Sequence, residues 1–143
     1  MKQIKLLFAA LVCLLMVPTL TFADGRPIPV DQLPAEAKAF VQNHFPNQRI
    51  IYAEKEGKKF ETRLNNGAEV DFNKKGAWTK VDCNLEAVPD AIIPAFISTQ
   101  VKSTFPDATI NKIEIIRKGY EVELSNHIDM TFNKAGQLIK MDD

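Results

Sequence analysis

Residues Asp71 to Asp82 put oxygen-bearing side chains at the first, third, ninth and twelfth positions (Asp71, Asn73, Thr79, Asp82) and a glycine, Gly76, at the sixth. That spacing copies part of a calcium-binding loop, in which carboxylates and carbonyls converge on one ion and the glycine permits the sharp turn. Lys75 breaks the pattern, because it sets a cation where a ligand oxygen is required. The competing reading is a hairpin turn in which Gly76 takes positive φ and Asn73 caps the bend. The sequence favours the turn and leaves calcium at Asp71, Asn73 and Asp82 as the alternative, with no other cofactor expected.

Other reactive side chains are isolated. His44 and His127 are the only histidines, far apart in sequence, whereas a metal centre needs several converging ligands. Ser98, Ser103 and Ser125 lack a Gly-x-Ser-x-Gly setting, and Cys83 has no evident histidine partner. Neither a phosphate loop nor a dinucleotide fingerprint occurs. These absences lead to the expectation of a protein that is not an enzyme.

The elements that position these residues come from an internal repeat. Shifted by 60 residues, Pro34-Ala35 falls on Pro94-Ala95, Phe45-Pro46 on Phe105-Pro106, and Phe72-Asn73-Lys74-x-Gly76 on Phe132-Asn133-Lys134-x-Gly136. Over positions 33 to 83 there are 17 identities and no gap. Such self-similarity is the mark of a duplicated structural unit. The histidines stand outside the shared design, since Thr104 answers His44 and Gly67 answers His127; Thr131 likewise replaces Asp71.

Each unit starts with Pro34 or Pro94, suited to a first helical turn. Ala37, Phe40, Val41 and Phe45, or Ile97, Val101 and Phe105, then recur at helical spacing, until Pro46 or Pro106 ends the helix. Four short segments of period-two alternation follow. Phe60, Thr62 and Leu64 alternate with Glu61 and Arg63, and Ala68, Val70 and Phe72 with Glu69 and Asp71; the second copy repeats this with Tyr120, Val122, Leu124, Ile128, Met130 and Phe132. The fold class is therefore α+β: two tandem units, each a helix plus a four-stranded antiparallel meander, forming one sheet with both helices on one face. If the apolar residues face the helices, Glu61, Arg63, Glu69, Asp71, Glu121, Glu123 and Asp129 face the other way. Like charges on neighbouring strands are destabilising, so folding alone does not ask for this acidic face. Solvation tolerates such a pattern, so the face reads either as merely solvated or as a docking surface for a basic partner or cation.

The chain has 143 residues, 45% apolar and 25% charged, with 18 basic and 18 acidic side chains. This is ordinary globular composition. Lys2 and Lys5, the apolar run Leu6 to Val17, and Thr21-Phe22-Ala23 make a secretory signal peptide, with cleavage expected after Ala23 and no lipid on Cys13. The run is shorter than a membrane span, and no membrane association of the mature form is expected. The predicted division is signal peptide 1–23, first repeat 24–83 and second repeat 84–143. Without Lys2 and Lys5 the net charge is −2, which gives no footprint for nucleic acid. Cys83 would then be the only cysteine, read as a buried or half-buried thiol, with an intermolecular or reactive thiol as the alternative.

Taken together, the signal peptide, the 60-residue tandem, the helix-ending Phe-Pro before Ile50 and Ile110, the strand Tyr120-Glu121-Val122-Glu123-Leu124, and Phe-Asn-Lys-x-Gly with Trp78 beyond it resemble the secreted PepSY-like proteins of Bacteroidetes. That family is similar in architecture to the β-lactamase inhibitor protein. The resemblance implies a periplasmic protein that inhibits or regulates another protein, and it supplies no catalytic residues. The expected function is a non-enzymatic periplasmic module that docks a protein partner through the open acidic face. The alternative is a calcium or small-ligand sensor using that face and the turn from Asp71 to Asp82.

Overall fold

The computed structural model describes residues 25–143. The expected signal peptide, its expected cleavage point and Cys13 lie outside the described residues. A two-residue strand β1 (Arg26–Pro27) precedes helix α1 (Ala35–His44) and the meander β2 (Ile50–Glu56), β3 (Lys59–Leu64), β4 (Glu69–Asn73) and β5 (Trp78–Asp82). The second unit repeats this with α2 (Ala95–Thr104), β6 (Ile110–Ile116), β7 (Gly119–Leu124), β8 (Asp129–Asn133) and β9 (Leu138–Asp142). All nine strands pair antiparallel in chain order, β1 through β9, as one sheet. β5 and β6 join the two repeats through Lys80↔Glu114, Val81↔Ile113 and Asp82↔Lys112.

The expected strand parity holds across the whole sheet. One row of cross-strand partners runs Ala53, Thr62, Val70, Val81, Ile113, Val122, Met130 and Met141, and it is buried from Ala53 to Met130. The helices lie over this face. Phe40 of α1 meets Phe72 edge to face at 5.7 Å, and Phe96 of α2 meets Phe132 at 6.3 Å. Thr62, the polar member of the row, is satisfied because its hydroxyl donates to the Val70 carbonyl at 2.8 Å. The core is a single cluster containing residues of both units, with Val88 and Ile92 of the connector inside it.

Three features differ from expectation. Pro34 and Pro94 sit one residue before the helices, in extended conformation, where the ring's fixed φ still suits the entry. Strand β1 was not anticipated: two residues carry no periodicity. It pairs with Lys55 and Glu54 on the edge of β2, the same edge that β5 occupies on β6 in the second repeat. Asp71 points to the open face, as parity requires, yet is only 8% exposed, because it stands between the longer side chains of Glu61 and Lys80 on the adjoining strands.

Candidate functional site

The face opposite the helices is assembled from two rows. One runs Glu54, Glu61, Asp71, Lys80, Glu114, Glu121, Thr131 and Lys140, and the other Tyr52, Arg63, Glu69, Asp82, Lys112, Glu123, Asp129 and Asp142. Acids meet acids directly across strands at Glu54↔Glu61, Glu61↔Asp71, Glu69↔Asp82, Glu114↔Glu121, Glu123↔Asp129 and Asp129↔Asp142. Of the seven residues placed on this face by sequence, Glu61, Arg63, Glu69, Glu121, Glu123 and Asp129 are on it and at least partly exposed, whereas Asp71 is on it but buried. The sequence reading missed Tyr52, Glu54, Lys112 and Glu114, which belong to the same rows. The alternation of Tyr52 and Glu54 with buried Ala53, and of Lys112 and Glu114 with buried Ile113, was the available signal.

In the first repeat the charges form a local network. Lys59 Nζ lies 3.2 Å from Glu61 Oε1 and 3.5 Å from Glu56 Oε2, and Arg63 Nη2 donates to Glu69 Oε1 at 3.1 Å. The Tyr52 hydroxyl donates to Glu54 Oε2 at 2.8 Å. Glu61 is lowered from the ordinary carboxylate value by its neighbours, the facing Glu54 first and then Lys59 and Lys80, while burial opposes them. Asp71 is pushed up by burial and only partly pulled back by Lys80, whose Nζ is 3.4 Å from Asp71 Oδ2. Tyr52, Glu54, Glu61, Arg63, Glu69 and Asp71 line one depression of about 210 Å³. By contrast, the apolar cleft beside α2, lined by Val88, Ile93, Val101 and Ile110, holds about 120 Å³. That is well under the roughly 300–1,000 Å³ of small-molecule pockets.

The calcium-like segment is a hairpin. β4 and β5 occupy most of it, and Asn73 Oδ1 accepts from the backbone N–H groups of Lys75 and Ala77 at 2.9 and 3.0 Å. Asp82 Oδ1 accepts from the Asn84 N–H, and Asp71 faces Lys80, so Asp71, Asn73 and Asp82 each have a separate partner. Among the described residues no group of three or more His, Cys, Asp and Glu side chains is placed to hold a metal. His44 packs on Phe40 with ring centroids 4.5 Å apart, and His127 occupies a turn at φ 67°. Cys83 is buried where β5 leaves the sheet; burial first, then Asp82 and Glu86, push its thiol up to about 11.

Comparison with known proteins places this arrangement. A solved structure from Bacteroides thetaiotaomicron, described as a "putative calcium-regulated periplasmic protein", is 40% identical with a TM-score of 0.79, covering 84% of this chain and 98% of its own. A Bacteroides vulgatus periplasmic protein of the DUF2874 family is 37% identical, with a TM-score of 0.80 and coverage of 84% and 98%. Another from the same organism, of unknown function, is 31% identical, with a TM-score of 0.80 and coverage of 84% and 100%. Among curated proteins nothing matches this chain. Among the described residues no helix is long and apolar enough to cross a membrane. A family described as "Putative beta-lactamase-inhibitor-like, PepSY-like" matches residues 21–69 and 58–140, both repeats included, and the chain belongs to that PepSY-like family.

Proposed function

We propose that the protein is a non-enzymatic periplasmic binding module that docks a protein with a basic surface, including an enzyme it regulates, through the open face of its sheet. The observation that supports this most is the repeated meeting of acids across adjacent strands on a face that no helix among the described residues covers. Like charges set directly opposite on neighbouring strands are destabilising, and a cationic partner relieves that repulsion. The family's inhibitor-like description and the periplasmic relatives are consistent with that role.

Replacing Glu61, Glu69, Glu121 and Glu123 with lysine tests the reading. These side chains are partly or fully exposed, so the variant is expected to fold with stability changed by no more than about 0.5 kcal/mol per site. Capture of basic proteins from periplasmic extract, read by mass spectrometry, should be lost in the variant and weaken with salt in the wild type. Unchanged capture would move the site off this face.

A second reading is favoured by one observation, the relative described as calcium-regulated. Calcium would then bind the carboxylates of the first repeat's open face, because Asn73 and Asp82 are committed to the hairpin and its exit. Calorimetry separates the two: an ion bound only by the folded state raises the unfolding temperature as calcium is added.

A further inference from the structure

The two edges of the sheet are built differently. β1 is two residues long and includes Pro27, which has no N–H to offer, and both features blunt an edge against further pairing. β9 has five residues and neither proline nor glycine, and its outer side faces no strand among the described residues. A bulge interrupts its register beside Phe132, but β5 carries the equivalent bulge beside Phe72 and still pairs onward through Lys80, Val81 and Asp82.

That internal junction is a template. β5 presents Lys80-Val81-Asp82 and β6 presents Lys112-Ile113-Glu114, so both strands read base, apolar, acid. Antiparallel pairing of this triplet with itself places each base opposite an acid and the apolar residues opposite each other. β9, the repeat counterpart of β5, carries the same triplet as Lys140-Met141-Asp142. The Cys83 N–H donates to the Asn111 carbonyl, so Val81, two residues away and paired with Ile113, also turns its backbone groups toward β6. By repeat equivalence Met141 turns its N–H and C=O to the open edge. Val81 is fully buried at its junction, whereas Met141 is 42% and Ile139 49% exposed.

We propose that the β9 edge is a homodimer interface in which a second copy of this chain pairs antiparallel about Met141. Met141 then faces Met141 on a two-fold axis, and Lys140 of each copy faces Asp142 of the other. The sheet becomes continuous through both copies, and assembly stops at two because the outer edges are the blunted β1 strands.

Sedimentation velocity on the purified protein tests this. The expected result is a concentration-dependent monomer–dimer equilibrium without larger species. Asp142→Lys gives base, apolar, base, and Lys140→Asp gives acid, apolar, acid, so each variant alone should self-associate at least about tenfold more weakly. An equimolar mixture of the two should form a heterodimer, and the double variant Lys140→Asp/Asp142→Lys should regain self-association. Circular dichroism confirms that each variant is folded before it is scored. A wild type monomeric at about 1 mM, a dimer unaffected by either single variant, or single variants that weaken without complementing each other would each overturn the proposal.

Discussion

Asp71 is the one acid of the open face that water barely reaches. Its side chain is 11% exposed, and its pKa is raised first by burial, with Lys80 pulling the other way. A carboxyl whose folded pKa exceeds its unfolded value binds its proton more tightly when folded. Its charged form therefore costs stability at neutral pH, and that cost disappears as pH falls through the folded value. Asp71→Asn is expected to hold or raise stability at pH 7, and the wild type should gain relative to the variant as pH is lowered toward 4. Urea unfolding at the two pH values checks it; a shift in the opposite direction would mean that the pair with Lys80 outweighs burial. The second repeat already has the neutral Thr131 at this position, 8% exposed.

At the scale of elements, the turn Asn73–Gly76 does more than reverse the chain. A Cβ on Gly76 would come within 2.9 Å of Pro34 Cβ and 3.0 Å of the Ala37 backbone nitrogen, so the turn is seated against the start of α1. Gly57 has a comparable positive φ, 57° against 89°, with nothing within 4 Å. Both Gly→Ala substitutions incur the left-handed penalty of about 1–2 kcal/mol. Gly76→Ala should cost about 1–3 kcal/mol more, through crowding of the helix. Equal losses in thermal melts would show that the contact with α1 is unimportant. The same positions serve the hairpin: Asn73 caps, Gly76 leaves room for α1, and Asp71 and Asp82 belong to the flanking strands. Strand parity and the 60-residue shift were legible because they are local or internal to the sequence. Strand β1, the burial of Asp71 and the seat of Gly76 were not, since each depends on contact between segments distant in the chain.

For the molecule as a whole, the β5–β6 ladder and the shared core predict one cooperative unfolding transition, since a 60-residue half buries too little apolar surface to be robust alone. A single calorimetric peak is expected; two separated peaks, or a stably folded fragment of residues 24–86, would refute it. Cys83 lies at that seam, its backbone tied to Asn111 of the second repeat. With its pKa near 11, only roughly one thiol in ten thousand is ionised at neutral pH, and burial hides even that fraction from reagents. The thiol is therefore a stopwatch for parting of the two halves. If they separate only when everything unfolds, the urea dependence of alkylation matches that of global unfolding; if the seam breathes by itself, the clock runs early and scarcely responds to urea.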